Sequence, residues 1–139
     1  MGDNEQTIIR ICEEAVERVS SATGDAEVGC LFRYGDTLRH VAHRGDLRLI
    51  YEVPHGQGSV VWRAADRGES QRVEDVRADP VYLASDERVR SEVATPVTVG
   101  GEVVAVLDVE FPERVFASEE AEAIEAEATR LADELAPYV

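Results

Sequence analysis

Lysine is absent from this 139-residue sequence: all 14 basic residues are arginine, against 29 aspartates and glutamates. The formal net charge is therefore −15. A surface of that sign repels phosphate backbones and anionic lipid headgroups, so we expect no direct binding to nucleic acid or to a membrane. Either a halophilic source or a GC-rich genome produces such a composition, and both readings stay open.

Long apolar runs and a cysteine framework are missing as well. No window approaches the ~18 uninterrupted apolar residues of a membrane-spanning helix, and the polar start MGDNEQTIIR has no signal-peptide core. We therefore expect a cytoplasmic protein. Cys12 and Cys30 are too few for a disulfide scaffold and lack metal-ligand spacing. Each falls on the apolar side of a predicted element, as is typical of a thiol that fills a core.

The length and the 44% hydrophobic content predict a single domain over residues 1–139. Apolar residues at helical spacing predict an amphipathic helix at about 7–20. A second, longer helix is predicted at about 118–136, with Ser118 at its start and Pro137 at its end.

Alternating apolar residues between these helices predict an antiparallel sheet over residues 26–112. Its parts are two hairpins and a short strand, namely AEVGCLFRY with LRHVAHR, SEVATPVTV with VVAVLDVEF, and SQRVEDV. Between the hairpins lies a long excursion whose short helix is capped by Ser59 and ended by Gly68. The fold class is thus α+β: a central antiparallel sheet of five to six strands, with the terminal helices on one face and the excursion covering a ligand pocket on the other.

Three acidic residues are candidates for that pocket. Asp108 and Glu110 alternate onto one face of a strand, and Glu92 can face them from its neighbour. Carboxylates gathered on an inward sheet face are costly unless a cation, an amine or protons relieve them, which favours a pocket for an amine or another polar ligand. The alternative is that they lie near the strand ends and contact solvent, Arg88 or Arg90.

Aromatic residues of the excursion are candidate pocket walls. Tyr51, Trp62 and Tyr82 offer flat apolar faces, although core packing competes with that role. His40 and His43 are three apart on a strand, so we expect them on opposite faces and not as a metal pair.

The quoted segments, together with GQGSVVWRAADRG and FASEEAEAIEAEATRLADEL, resemble a GAF domain from about Ala26 to Leu135. The match lies in the order and spacing of the Gly-x-Gly helix start at 56–58, the VEDV strand, the proline-containing SEVATPV strand, the GGEVVAVLDVE hairpin and the entry to the last helix. The resemblance implies helices around a central antiparallel sheet, a small-molecule pocket on one sheet face, and dimerisation through the terminal helices.

Within that family, residues 56–112 are especially similar to free methionine-(R)-sulfoxide reductases. Those enzymes have a cysteine in the Gly-rich turn, where this sequence has Val60. Their nucleophilic cysteine precedes an aspartate, where this sequence has Ser85 before Asp86. A serine hydroxyl cannot form the disulfide that reduces a sulfoxide, so the resemblance implies a pocket lid at Ser85 and Asp86 and no catalytic residue.

The acidic residues that bind substrate in those reductases do have counterparts here. The resemblance assigns this role to Glu92, Asp108 and Glu110, with Glu110 replacing an aspartate. Cofactor signatures of other GAF classes are not matched. A lysine-free chain cannot supply the cyclic-nucleotide signature, neither cysteine fits bilin attachment, and haem ligation has no support, so the cofactor is unknown.

These observations predict a stand-alone, non-catalytic sensory or regulatory module that binds a small molecule between its sheet and the segment from 51 to 92. We expect a homodimer through the terminal helices and an output to a signalling protein in trans, because no kinase, cyclase or DNA-binding segment is attached. Two alternatives stay open: a diverged free methionine-(R)-sulfoxide reductase-like enzyme, and a structural dimerisation module with a filled pocket.

Overall fold

The computed structural model describes residues 2–56, 59–82 and 85–139. The three α-helices of this part are α1 (Gly2–Thr23), α2 (Val60–Arg67) and α3 (Ser118–Leu135). Six strands accompany them: β1 (Glu27–Tyr34), β2 (Thr37–Arg44), β3 (Glu52–Pro54), β4 (Gln71–Val73), β5 (Val89–Val99) and β6 (Glu102–Pro112). Short 3-10 turns lie at Val76–Ala78 and Ala136–Tyr138.

The six strands form one antiparallel sheet in the order β3-β2-β1-β6-β5-β4. The long β5–β6 hairpin is joined at Gly100 and Gly101, whose φ angles of 59° and 84° suit a tight hairpin turn. Because β1 pairs with β6, two distant parts of the sequence, β1 and the β5–β6 hairpin, meet at the centre of the sheet.

The helices α1 and α3 cover one face of the sheet, called here the helix face. Its core includes Cys12 of α1, Cys30 of β1, Leu107 of β6 and Leu131 of α3, none of which is exposed. Burial of apolar side chains, at roughly 25 cal/mol per Å², is what holds this layer together. The predicted α+β architecture with both terminal helices on one face is confirmed.

The excursion between β2 and β5 covers the opposite face, called here the site face. Leu31, Leu38 and Val106 of the sheet pack there against α2 and its neighbours. The Trp62 indole N–H donates a hydrogen bond to the Val53 carbonyl at 2.6 Å, which ties α2 to β3. The site face therefore carries a second apolar layer, and the excursion between β2 and β5 that covers it is called here the roof.

The helix α2 has the predicted ends. The Ser59 hydroxyl accepts a hydrogen bond from the Trp62 amide, and Gly68 ends the helix in the left-handed conformation with φ of 64°. Of the two glycines in the predicted Gly-x-Gly helix start, Gly56 lies within the described residues and Gly58 lies outside them.

The structure differs from the prediction in the length of α1 and in one additional strand. α1 begins at Gly2 and ends at Thr23, so it is longer than the predicted 7–20. The short strand β3, within the excursion, was not predicted, because three residues are too few to establish an alternating pattern.

The expectation that His40 and His43 point to opposite faces is wrong. Leu31 pairs with His40 and Gly29 pairs with His43, while Val41 is an extra residue in β2. Such a β-bulge shifts the alternation by one residue, so both histidines lie on the site face. Their rings are 6.4 Å apart, and each contacts the Tyr51 ring.

No helix within residues 2–56, 59–82 and 85–139 combines the length and the apolar character needed to cross a membrane.

Candidate functional site

Three glutamates form a row across the central strands of the site face. Glu27 of β1 pairs with Glu110 of β6, which pairs with Glu92 of β5. Directly paired residues share a face, with Cβ atoms about 5 Å apart. Asp108 lies on the same face, two residues from Glu110 along β6. All four are buried, with exposures of only 3 to 8%.

Glu27, Glu92, Asp108 and Glu110 are called here the acidic row, and burial raises the pKa of each of them. Desolvation raises the pKa of Glu27 to about 7 and that of Asp108 to about 6. The pKa values of Glu92 and Glu110 are raised well above the ordinary range, first by burial and then by the nearby Asp108 charge. Interaction with Asp108 also contributes to the raised pKa of Glu92, whereas interaction with Glu92 limits the rise in the pKa of Asp108, so the two carboxyl groups titrate as a linked pair.

Two oxygens of the row have no hydrogen-bond partner among the described residues: Oδ1 of Asp108 and Oε2 of Glu27. A buried acceptor without a donor costs about 1–3 kcal/mol. The site face therefore offers acceptors to a molecule that brings hydrogen-bond donors.

A small cavity lies above the acids. Its volume is about 40 Å³, which is enough for a few water molecules and far below the roughly 300–1,000 Å³ of sites for drug-sized ligands. A larger ligand therefore requires the roof to move. The lining residues are Leu31, His40, Leu49, Ile50, Val53, Ser59, Val60, Val61, Ser85, Glu92, Asp108 and Glu110.

Ser85 and Tyr82 reach the acidic row from the excursion. The Ser85 hydroxyl donates to Oε1 of Glu110 at 3.3 Å, and the Tyr82 hydroxyl donates to Oε2 at 3.4 Å. Burial, followed by the charges of Glu110, Glu92 and Asp108, raises the pKa of Tyr82, so its hydroxyl stays protonated. Both residues thus belong to the predicted site by position, while ligand binding by them stays a prediction.

Asp86 lies at the entrance loop and not in the cavity lining. Its carboxylate accepts hydrogen bonds from the Arg48 amide at 2.9 Å and from the Arg88 side chain at 2.8 Å. These contacts, led by Arg88, lower the pKa of Asp86. Asp86 therefore fastens the loop before β5 to the roof segment after β2.

Two predicted pocket walls lie elsewhere. Tyr51 is 58% exposed and lies outside the cavity, with its ring against His40 and His43. Trp62 is buried in the site-face core, where its ring packs edge-on against His55 with centroids 4.6 Å apart. Trp62 therefore has the alternative role, which is packing in the core.

The arginines expected to compensate the acids pair with other groups. Arg88 binds Asp86, and Arg90 approaches Asp75 at 4.0 Å. The acids also lie in the interior and not at exposed strand ends. The solvent-facing alternative for Glu92, Asp108 and Glu110 therefore does not hold.

Glu27 is the residue of the acidic row that sequence reasoning missed; it pairs with Glu110 beside the cavity and does not line the cavity itself. Its Oε1 accepts a hydrogen bond from the Leu47 amide at 3.0 Å, and its Oε2 lies 3.5 Å from Nδ1 of His43. The signal was present, because alternation that puts Val28 and Cys30 on the helix face puts Glu27 on the other.

His40 covers the middle of the site. Burial lowers the pKa of its imidazole, which is therefore neutral at pH 7. Nδ1 lies 3.2 Å from the Tyr51 carbonyl and is assigned as the N–H donor, because a carbonyl can only accept. Nε2 then carries a lone pair and points over Gly29.

Neither a metal-ligand cluster nor a thiol lies at the acidic row in the part of the chain that the structure describes. Within residues 2–56, 59–82 and 85–139, no group of three histidine, cysteine, aspartate or glutamate side chains has the arrangement to hold a metal ion. Both cysteines of the sequence are fully buried on the helix face, with the sheet between them and the acids.

Curated relatives match about half of the chain. Protein YtsP of Bacillus subtilis is 40% identical over 66 residues, which cover 48% of this chain and 40% of the relative. Free methionine-R-sulfoxide reductase of Escherichia coli is 32% identical over 75 residues, which cover 54% of this chain and 44% of the enzyme. The chain thus spans less than half the length of the curated relatives that it matches.

Solved structures share the fold over nearly the whole chain. A type II free methionine-R-sulfoxide reductase from Thermoplasma acidophilum superposes with a TM-score of 0.83 at 20% identity, covering 97% of this chain and 96% of that one. The GAF domain of a phosphoenolpyruvate-protein phosphotransferase from Coxiella burnetii superposes with a TM-score of 0.79 at 17% identity, covering 94% and 83%. The family model described as GAF domain matches residues 5–139. With the antiparallel sheet and helix layer above, this match establishes that the chain belongs to the GAF domain family.

Proposed function

We propose that this chain is a non-catalytic GAF module that binds a small molecule carrying hydrogen-bond donors, such as an ammonium group, between the acidic row and the excursion. The observation that carries the proposal is the pair of unpartnered oxygens on Asp108 and Glu27, in a cluster of four buried acids. In the described part of the chain, no arginine is paired with any of the four acids. A donor-bearing ligand would supply the missing compensation.

The cysteines support a binding role over thiol catalysis. Sulfoxide reduction requires an accessible thiolate and a second thiol to resolve the adduct. Interaction with the neighbouring Cys12 thiol and burial both raise the pKa of the Cys30 thiol. Neither thiol can reach a ligand at the acidic row without passing through the sheet.

A route from the site to the terminal helices runs through the residues after α2. The Ser70 hydroxyl donates to Glu125 of α3 at 2.7 Å, and Arg72 of β4 binds the same carboxylate at 2.7 Å. Movement of the roof on ligand binding would be transmitted to α3 through these bonds. This is how we propose that the module signals to a dimer partner or another protein in trans.

The experiment is a thermal-shift and calorimetric screen of amines and amino acids against the purified protein, with native mass spectrometry to identify any retained ligand. We expect Glu92→Gln and Asp108→Asn to weaken an identified ligand at least tenfold. Glu102→Gln, an exposed change at the start of β6, is the matched control and should leave affinity unchanged. Equal affinity in all three variants would overturn the proposal.

A reductase is the second candidate, favoured by the Escherichia coli relative and the Thermoplasma acidophilum structure. Its test is turnover of free methionine-R-sulfoxide with a small thiol reductant. We expect no turnover above that of the Cys12→Ser, Cys30→Ser double variant. Turnover that this double variant abolishes would replace binding by catalysis as the function.

A further inference from the structure

We infer that Glu27 is a second ligand-binding position and that the ligand is a small organic dication, with one cationic end at Asp108 and the other at Glu27. This inference rests on the proposed function and narrows its ligand class. It follows from the arrangement of three acceptors on β1, β2 and β6.

The two carboxylates are diagonal neighbours on adjacent strands. Glu27 pairs with Glu110, and Gly29 pairs with Asp108, so Glu27 and Asp108 are offset by two residues along the strands. Diagonal neighbours of this kind are about 7–8 Å apart at Cα, within the reach of one short molecule. Position 29 beside them is glycine, and the His40 imidazole from β2 occupies the space over it, so a ligand that reaches both carboxylates must lie over His40.

Each carboxylate has one oxygen without a hydrogen-bond partner among the described residues. Oε1 of Glu27 accepts from the Leu47 amide, while its unpartnered Oε2 lies 3.5 Å from Nδ1 of His43. On Asp108 the unpartnered atom is Oδ1. Both oxygens are buried, so each would gain from a ligand donor that contacts it.

The side chain between the carboxylates adds a third acceptor. His40 lies over Gly29 with its Nε2 lone pair toward the site, because Nδ1 donates to the Tyr51 carbonyl. Donors from a ligand would therefore meet acceptors at both ends and in the middle. That pattern discriminates against anions and against ligands whose only polar groups are acceptors.

A monocation satisfies this arrangement incompletely. If one ammonium group binds at Asp108, Oε2 of Glu27 stays buried without a hydrogen-bond donor, which is costly. A second ammonium or guanidinium group on the same molecule compensates Glu27. The ligand class is thus a short α,ω-diamine or guanidino-amine, which would enter by displacing the roof residues Leu49 and Ile50.

Calorimetric titration at pH 8 with the diamines from 1,3-diaminopropane to 1,5-diaminopentane, and with butylamine as the monocation, tests the inference. For the unmodified protein we expect at least one diamine to bind tenfold or more tightly than butylamine. Glu27→Gln should remove that preference and change butylamine affinity less than twofold. Glu27→Met serves as a second variant should the glutamine fold poorly, and Glu102→Gln is the charge-matched control.

The outcomes separate this inference from the proposed function. Equal binding of diamines and butylamine, or an unchanged preference in Glu27→Gln, overturns the dication but leaves donor recognition at Asp108 intact. Absence of binding by every diamine overturns the dication as well. The proposed function fails separately, if ligands found in the broad screen are unaffected by Glu92→Gln and Asp108→Asn.

Discussion

The His40 imidazole fills the space that a side chain at Gly29 would need: a β-carbon at position 29 would lie 2.7 Å from Nε2 of His40 and 2.8 Å from Cδ2. The imidazole can lie against β1 only because residue 29 has no side chain. The close contact fixes where Nε2 points, and therefore what a ligand would meet in the middle of the site.

The first prediction concerns this contact. Gly29→Ala should destabilise the protein by about 1–3 kcal/mol, because the imidazole must leave its position over β1. Urea denaturation followed by circular dichroism measures the change. In the His40→Ala background the same substitution should cost much less, since the clash is gone. Equal costs in both backgrounds would contradict the contact.

The second prediction concerns pH. Burial raises the pKa of Glu27 in the folded protein to about 7 from an ordinary value of 4.5. The folded state therefore holds this proton more tightly than the unfolded chain does. The resulting stabilisation is complete below about pH 4.5 and is lost as the pH rises through 7.

Glu27→Gln removes this pH dependence while keeping the shape of the protonated side chain. The variant and the original should be equally stable near pH 4.5, and the variant should be more stable at pH 8 by on the order of 2 kcal/mol. Melting temperatures across pH 4.5–8 provide the measurement. Parallel curves for the two proteins would mean that Glu27 titrates normally.

The third prediction concerns Arg114, which joins both terminal helices to the end of β6. Its guanidinium donates to Glu120 of α3 at 2.7 Å and to Asp25 after α1 at 2.9 Å, and it lies 4.8 Å from the Phe111 ring centroid. We expect Arg114→Ala to cost about 1–3 kcal/mol, because several charge-assisted bonds and a ring contact are lost together.

The control for Arg114 is Arg130, which forms a single pair with Glu134 at 3.8 Å on the exposed side of α3. Arg130→Ala should change stability by no more than about 0.5 kcal/mol. Chemical denaturation of both variants at one ionic strength allows the comparison. Similar losses in the two would remove the special role of Arg114.

The fourth prediction concerns the roof. Trp62→Phe keeps an aromatic ring but removes the N–H that donates to the Val53 carbonyl at 2.6 Å. A cost of about 1–3 kcal/mol is expected for the buried carbonyl left without a donor. Hydrogen exchange should also become faster in β3 than in the β5–β6 hairpin. Uniform acceleration across the sheet would indicate a global and not a local effect.

Most of the sheet could be predicted from the sequence, because the long apolar strands β5 and β6 are joined by a tight glycine turn that sets their pairing. The caps of α2 were also readable, since Ser59 and Gly68 have side-chain and backbone properties that suit helix ends. The face assignment failed at β2, because nothing in the sequence marks Val41 as a bulge residue.

The site was harder to predict than the fold. Glu92, Asp108 and Glu110 were found, since two of them alternate along one strand and the third belongs to its hairpin partner. Glu27 was not, because its neighbour Glu110 lies 83 positions away and only the β1–β6 pairing joins them. Tyr51 and Trp62 lie outside the cavity lining, which sequence reasoning could not establish because loop paths over a sheet are set by tertiary packing.

The placement of both thiols on the helix face has a practical use in the laboratory. A thiol-reactive dye can reach Cys12 or Cys30 only when α1 or α3 separates from the sheet, since neither side chain is exposed. The labelling rate therefore measures how often the helix layer opens. If a ligand bound on the site face slows this labelling, the two faces of the sheet communicate, and the experiment needs neither a mutation nor a probe in the site.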